Sequence, residues 1–321
     1  MTSAPSPSSS RLDAMTWAYF TLIFLTMVTS VCGAVGNSVV IWLLSCRSQH
    51  TPFTVYMLNL AVADLLFLLC MAAVLSLETQ PHPELDSISN DATPDFTPYA
   101  IAYEAMRRVK YFAYTTGLSL LTAISTQRCL SVLCPIWYKC HQPQHLSTIV
   151  TALLWALSFS MNMLASYFCT TYLHFHKQHC FKVDMAIGTL ILGVFMPVMA
   201  ISSAILFVQV RKSIVQRPQR LYVVILTTVF VFLVCSLPLG IYWYVVLWTD
   251  PKPQVKLLWL CVSRFSSSVS SSANPVIYFL VGNQRHRKLK ESMGAILNRA
   301  LQEEPELEGR ETPSTGIQER I

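Results

Sequence analysis

Three basic residues, Arg107, Arg108 and Lys110, lie close together near one end of a long apolar stretch that runs from Tyr99 to Pro135. A charged group that faces the interior of a membrane helix bundle usually has a function. Arginine presents a planar fork that fits a carboxylate better than the ammonium group of lysine does. Helical spacing favours one inward residue among the three, which indicates an anion site with a single cation. The alternative is that the bases reach lipid headgroups or pair with Glu104.

Two acids carry further candidate chemistry. Asp64 lies in the apolar segment that begins Asn59-Leu-Ala-Val-Ala-Asp64. A carboxyl group there has to be hydrated, ion-bound or protonated, so with Asn37 it predicts a polar, sodium-type site; the alternative is an acid satisfied by a neighbouring helix. Asp184 opens a later apolar segment, where it can pair with Lys182 or cap the start of a helix.

The composition excludes a soluble globule, because 53% of the 321 residues are hydrophobic and 12% are charged. Ten cysteines occur without CxxC spacing, so no metal is expected. We find no paired Asp, Ser/His or His/Glu set typical of intramembrane hydrolases, and we expect neither an enzyme nor a cofactor. No repeat relates the two halves, which counts against a transporter. Residues 1–10 lack a secretory signal, so the first span is expected to be an uncleaved signal-anchor.

Seven apolar segments have the length of a membrane-spanning helix, so the predicted fold is an all-α seven-transmembrane helix bundle. The excess of Lys and Arg in the connections after spans one, three and five predicts an outside N-terminus and an inside C-terminus. Basic and apolar residues after Asn283 predict an amphipathic helix on the inner leaflet lipids. The spans are 16–45, 53–80, 98–134, 145–173, 183–210, 221–248 and 255–282. The predicted domains are an extracellular arm (1–15), a seven-transmembrane domain (16–282), the amphipathic helix (283–300) and a disordered cytoplasmic tail (301–321).

Five motifs fall on these spans in a fixed order: Asn37, Asp64, the segment Thr126-Gln127-Arg128-Cys129, Trp155, and Asn274-Pro275-Val-Ile-Tyr278. Together they resemble the rhodopsin-like G-protein-coupled receptors. Trp155 alone is equally compatible with simple core packing. Pro197, Pro238 and Pro275 in the last three spans remove backbone hydrogen bonds and permit kinks, which suit a conformational switch.

Several departures from the rhodopsin pattern resemble one branch of that family, the Mas-related receptors. Gln127 replaces the usual acid beside Arg128, and Cys235-Ser-Leu-Pro238 lacks the usual tryptophan. No cysteine occurs at the outer end of span three, so the disulfide that commonly joins this point to the second outer loop cannot form. We expect Cys169 and Cys180, on the oxidising side, to pair with each other; the alternative is two free thiols. The segments Ser76-Leu-Glu-Thr-Gln-Pro, Tyr111-Phe-Ala-Tyr-Thr and Ser263-Arg-Phe-Ser-Ser-Ser narrow the resemblance to one subgroup of this branch.

The resemblance implies a small zwitterionic agonist such as β-alanine. Arg108 would hold its carboxylate and Asp184 its amine, while charge complementarity alone indicates only a zwitterion. Tyr111 and Trp243 would add ligand contacts, although outer Trp and Tyr residues are often belt residues at the membrane interface. The resemblance further implies coupling to Gq or Gi in sensory neurons, with roles in nociception or itch. A peptide or other cationic agonist is the alternative, and no nucleic acid partner is expected.

The expected mechanism is a population shift in which the agonist favours closure of spans three, five and six on the outer side. Span six would then swing outward on the inner side and expose a cleft for the G protein. The resemblance assigns this switch to residues in spans three, six and seven. They are Gln127, Arg128, Pro238, Asn274, Pro275 and Tyr278.

Overall fold

A computed structural model describes residues 7–46, 52–79, 98–134, 138, 145–169, 186, 188–212, 220–242 and 252–283. Within these residues the chain forms seven α-helices and one π turn, which confirms the predicted all-α architecture. The helices are α1 (Pro7–Ser45), α2 (Pro52–Glu78), α3 (Pro98–Leu133), α4 (Leu146–Cys169), α5 (Met196–Lys212), α6 (Arg220–Ile241) and α7 (Pro253–Asn283). The amphipathic helix predicted over 283–300 and the tail over 301–321 lie outside the described residues, except for Asn283.

Among the residues that the structure describes, four stretches are long and apolar enough to cross a membrane. They are Met15–Ser45, Phe53–Glu78, Leu146–Phe168 and Gly188–Gln209. Helices α3 and α7 are less apolar than these stretches, because α3 carries charged residues and α7 carries seven serines between Ser263 and Ser272. Their polar side chains point largely inward, since Ser263, Ser267, Ser268, Ser270 and Ser271 are buried. Hydropathy is therefore lowest in the helices that line the interior of the bundle.

Helix α3 lies at the centre of the bundle and contacts α2, α4, α5 and α6. Helix α7 packs against α1, α2 and α6 and closes the other side. Large apolar side chains such as Trp17, Phe24 and Phe230 are about two-thirds exposed or more, as expected for a lipid-facing surface. The fold thus directs apolar residues outward to lipid and polar residues of α1, α2, α3 and α7 inward.

Helices α1 and α7 approach each other closely at Gly33 and Gly36. A Cβ atom added to Gly33 would overlap the side chain of Ser272, and one added to Gly36 would lie 3.2 Å from Cβ of Pro275. The Ser272 hydroxyl donates to the carbonyl oxygen of Thr29 at 2.9 Å. The two glycines therefore allow α1 and α7 to pack closely.

A π turn, Ile191–Phe195, precedes α5, and its backbone bond joins the Met196 N–H to the carbonyl oxygen of Ile191. Pro197 follows directly and has no N–H to donate. Isolated π turns are common at functional positions of α-helices and change the direction of the helix. Pro238 and Pro275 lie inside α6 and α7. Pro238 and Pro275 therefore weaken the backbone ladders of α6 and α7, whereas Pro197 lies in the first turn of α5.

Candidate functional site

The outer end of α3 carries a carboxylate that binds two arginines. Glu104 accepts hydrogen bonds from Nε and Nη2 of Arg107, both at 2.8 Å, and from Nε of Arg108 at 2.6 Å. Residues three and four positions apart are neighbours on the surface of an α-helix, so Glu104 lies next to both Arg107 and Arg108. Arg107 is 30% exposed whereas Arg108 is 17% exposed. The pairing with Glu104 that the sequence left as an alternative is therefore formed by both arginines.

Arg108 also lines a cavity between α3, α4 and the segment that leads into α5. The cavity has an empty volume of about 600 Å³, including its open mouth. Its polar lining comes from Tyr111, Thr115 and Asn162, and Asn162 donates to the Thr115 hydroxyl at 3.2 Å. Tyr111, predicted as a ligand contact, thus lies beside Arg108 in one cavity.

The expectation that only one of the three basic residues faces inward is wrong. Lys110 is only 4% exposed and lines a second cavity, whose empty volume is about 390 Å³. The outer part of α3 is surrounded by protein on more than one side, with α4 next to Arg108 and with α2 and α7 next to Lys110. Two residues on different faces of the helix can therefore both point into the bundle.

An ion pair between α2 and α7, which the sequence did not predict, lies beside the second cavity. Glu78 binds Arg264 through two parallel hydrogen bonds, at 2.6 Å to Nη1 and 2.9 Å to Nη2. The Tyr103 hydroxyl donates to the same carboxylate at 2.7 Å. A bidentate arginine–carboxylate pair is strong and fixes geometry. The signal was present in the sequence as two opposite charges at the outer ends of apolar segments.

The middle of the bundle contains the predicted polar cluster around Asp64. Asp64 is 6% exposed and accepts a hydrogen bond from Nδ2 of Asn274 at 2.6 Å. Asn37 donates to the carbonyl oxygens of Gly33 and Ser271 at 2.9 and 3.1 Å. The structure therefore brings Asp64 and Asn274 into contact, while Asn37 connects α1 to α7 through their backbones. Within the described residues, no group of three or more metal-ligating side chains surrounds the acid.

At the inner end of α3, Arg128 is buried at 5% exposure, and its guanidinium carbon lies 4.5 Å from the ring centre of Phe53. Gln127 donates to the Tyr138 hydroxyl at 2.8 Å. The residue beside Arg128 therefore forms a neutral hydrogen bond with Tyr138. Tyr278 is 1% exposed, and its hydroxyl lies 3.7 Å from the sulfur of Met57. Both switch candidates therefore contact α2.

Trp155 contributes more than core packing. Its indole Nε1–H donates to Oδ1 of Asn59 at 3.0 Å, and its ring packs edge-on against Phe112 at 5.5 Å. A buried indole N–H usually finds such a partner. Trp155 therefore ties α4 to α2 across the face of α3.

Several predicted site residues lie outside the described residues, namely Asp184, Cys180 and Trp243. The side chain of Cys169, at the end of α4, is also outside them. The carboxylate proposed for a ligand amine and the predicted disulfide therefore remain predictions.

Comparison with known proteins agrees with this architecture. Residues 36–278 match the family described as 7 transmembrane receptor (rhodopsin family). The chain is 62% identical to Mas-related G-protein coupled receptor member D of Mus musculus over 320 residues, which cover 98% of the chain and 96% of that receptor. It is 55% identical to member D of Homo sapiens over 314 residues, 97% and 94% of the two chains. Member X1 of Homo sapiens is 40% identical over 291 residues, 89% and 85% of the two chains.

Proposed function

Because the chain belongs to the rhodopsin family of seven-transmembrane receptors and to its Mas-related branch, we propose that its agonist is a small zwitterionic amino acid of the β-alanine type. As a member of this family it is a multi-pass receptor of the plasma membrane, it has a heterotrimeric G protein as its partner, and it is not an enzyme. The proposal concerns the agonist, the residues that bind it and the coupling.

The observation that carries the proposal is the position of Arg108, which lines the cavity beside Tyr111 and Asn162. A guanidinium group in a partly apolar cavity binds a carboxylate more strongly than it would in water. Glu104 engages Nε of Arg108, which orients the side chain and reduces its freedom to leave the cavity. The ligand amine would be received by Asp184, and Trp243 would close the aromatic side of the site.

A cationic agonist is less compatible with this end of the bundle. Glu78, Glu104, Arg107, Arg108, Lys110 and Arg264 form what we call the outer charge cluster. It contains four cations and two carboxylates, and both carboxylates already bind arginine. A positively charged ligand would meet net repulsion there, whereas a ligand carboxylate would reduce it.

Activation follows as a population shift. An agonist that contacts α3, α4 and the start of α5 together stabilises the conformation in which they are closest, and it shifts the equilibrium only by its differential affinity. Pro238 weakens the backbone of α6, so this helix can move at its inner end. The inner surface around Arg128, Asn274, Pro275 and Tyr278 would then open to the C-terminal helix of a Gq or Gi protein. The N-terminus would lie outside the cell and the C-terminus inside.

The experiment is a dose response to β-alanine in cells that express the receptor, with calcium release and inhibition of cyclic AMP as readouts. We expect Arg108→Ala and Asp184→Ala to raise the half-maximal concentration by roughly tenfold to a hundredfold or abolish the response. A hydrogen bond to a charged group contributes about 1.5–3 kcal/mol. Arg107→Ala is the matched control, because Arg107 does not line the cavity. Absence of a wild-type response at normal surface expression would refute the agonist assignment.

A further inference from the structure

The second cavity, beside Lys110, has chemistry that β-alanine binding does not use. It lies between α2, α3, α6 and α7, with Phe67 and Met71 on its apolar side and Lys110, Tyr242 and Arg264 on its polar side. Tyr111, Tyr114 and Leu239 line both this cavity and the one beside Arg108. The two cavities therefore adjoin each other at these three residues.

Lys110 is a buried cation without a carboxylate partner among the described residues. Its ammonium group lies 4.9 Å from the ring centre of Tyr111. Glu78, the carboxylate that acts on it electrostatically, is already bound by both terminal nitrogens of Arg264. A buried charge that lacks a counter-ion is unfavourable by several kcal/mol. The buried Lys110 amine therefore either loses its proton or carries a charge that an anion in the cavity would compensate.

Arg264 has one further donor available at this place. Its Nε is buried and donates to no acceptor within the described part of the chain. Buried donors in native proteins nearly always have a partner, so an exception indicates water, an ion or a ligand. Lys110 and Arg264 line the same cavity. Two positively charged donors without sufficient acceptors are characteristic of an anion site.

We propose that the cavity beside Lys110 is a carboxylate subsite, held by the Lys110 ammonium group and supported by Arg264. It would receive the second carboxylate of an acidic amino-acid ligand whose first carboxylate is bound at Arg108. This extension of the ligand class rests on the proposed β-alanine-type agonist. The subsite itself depends only on Lys110, Arg264 and the cavity that they share.

The first test compares β-alanine with β-glutamate, which has the same β-amino acid unit and a second carboxylate. We expect Lys110→Met to raise the half-maximal concentration of β-glutamate about tenfold or more, with less than about a threefold change for β-alanine. Lys110→Arg retains the charge and should preserve most of the β-glutamate response. Lys252→Met, at an exposed lysine before α7, is the matched control and should change the half-maximal concentration of neither ligand. If the ratio of the half-maximal concentrations of β-glutamate and β-alanine were the same in Lys110→Met as in the wild type, the proposal would be overturned.

A second test is independent of the agonist assignment. The purified receptor in lipid nanodiscs is heated with and without glutarate, a dicarboxylate that lacks an amine. We expect glutarate to raise the melting temperature of the wild type and of Arg108→Ala, and not that of Lys110→Met. Methionine is expected to fold well there, because replacing a buried charge with an apolar side chain of similar size is often neutral or stabilising. No shift in the wild type, or an equal shift in Lys110→Met, would overturn the subsite even if β-alanine proved to be the agonist.

Discussion

The outer and inner ends of the bundle stabilise their charged residues in opposite ways. At the outer end, carboxylates bind arginines directly, with Glu104 contacting two of them and Glu78 forming a bidentate pair with Arg264. At the inner end, Arg128 packs on the Phe53 ring and Gln127 forms a neutral hydrogen bond with Tyr138. Excess positive charge thus remains where a ligand enters, whereas at the inner end Arg128 contacts an aromatic ring and Gln127 bonds to a neutral hydroxyl. The comparison suggests that ligand charge is recognised at the outer end and that packing controls the inner end.

The largest effect is expected from Glu78→Leu. Arg264 would then be a buried cation without its carboxylate, and breaking one partner of a buried ion pair costs about 3–5 kcal/mol. We expect a clear fall in the melting temperature of the purified receptor and reduced surface expression. The double variant Glu78→Leu/Arg264→Leu should recover much of the loss, because two apolar residues leave no unpaired charge. A double variant as unstable as the single one would show that the outer end is not held by this pair.

A smaller effect is expected in the middle of the bundle from Asn274→Ala. The substitution removes the amide that donates to Asp64 at 2.6 Å, and leaving a buried hydrogen-bonding group without its partner costs about 1–3 kcal/mol. Thermal unfolding of the purified receptor measures the loss. Ser268→Ala is the control, since it removes a weaker contact with Ser30 at 3.3 Å. Equal losses in the two variants would mean that the Asp64 cluster has no special stabilising role.

At the inner end, Gln127→Ala and Tyr138→Phe should have equal effects. Each removes the same neutral hydrogen bond of 2.8 Å, which contributes about 1 kcal/mol. Since one bond is shared, the double variant should be no less stable than either single variant. A double-mutant cycle on melting temperatures provides the measurement. Additive losses would show that the two side chains act separately, and the neutral link at the inner end would have to be abandoned.

The smallest effect is expected from Arg107→Ala at the outer end. Arg107 is 30% exposed, so solvent screens its pair with Glu104, and such pairs contribute about 0–1 kcal/mol. Raising the ionic strength should remove most of the difference from the wild type, because salt screens exposed charges. A large fall in the melting temperature that salt does not change would show that the Arg107–Glu104 pair behaves as a buried ion pair. The distinction between Arg107 and Arg108 would then be weaker.

The sequence predicted the seven helices because each spans a length set by the bilayer and has a continuous apolar composition. It also placed Asp64, Asn274, Arg128 and Tyr278 correctly inside the bundle, since polar residues in such segments have to face protein. The Glu78–Arg264 pair was missed because these residues are 186 positions apart, and hydropathy along a chain carries no information about which helices become neighbours. For the same reason helical spacing alone misjudged Lys110, because the number of inward faces on α3 depends on how many helices surround it.

The most direct test of the difference between the two ends is binding of radiolabelled β-alanine to membranes from cells that express the wild type, Arg108→Gln or Gln127→Ala at matched surface levels. Glutamine cannot supply the guanidinium charge at the cavity wall, so Arg108→Gln should lose specific binding. Gln127→Ala, at the opposite end of α3, should retain it within a fewfold change in affinity. Full binding by Arg108→Gln would contradict charge recognition at the outer end.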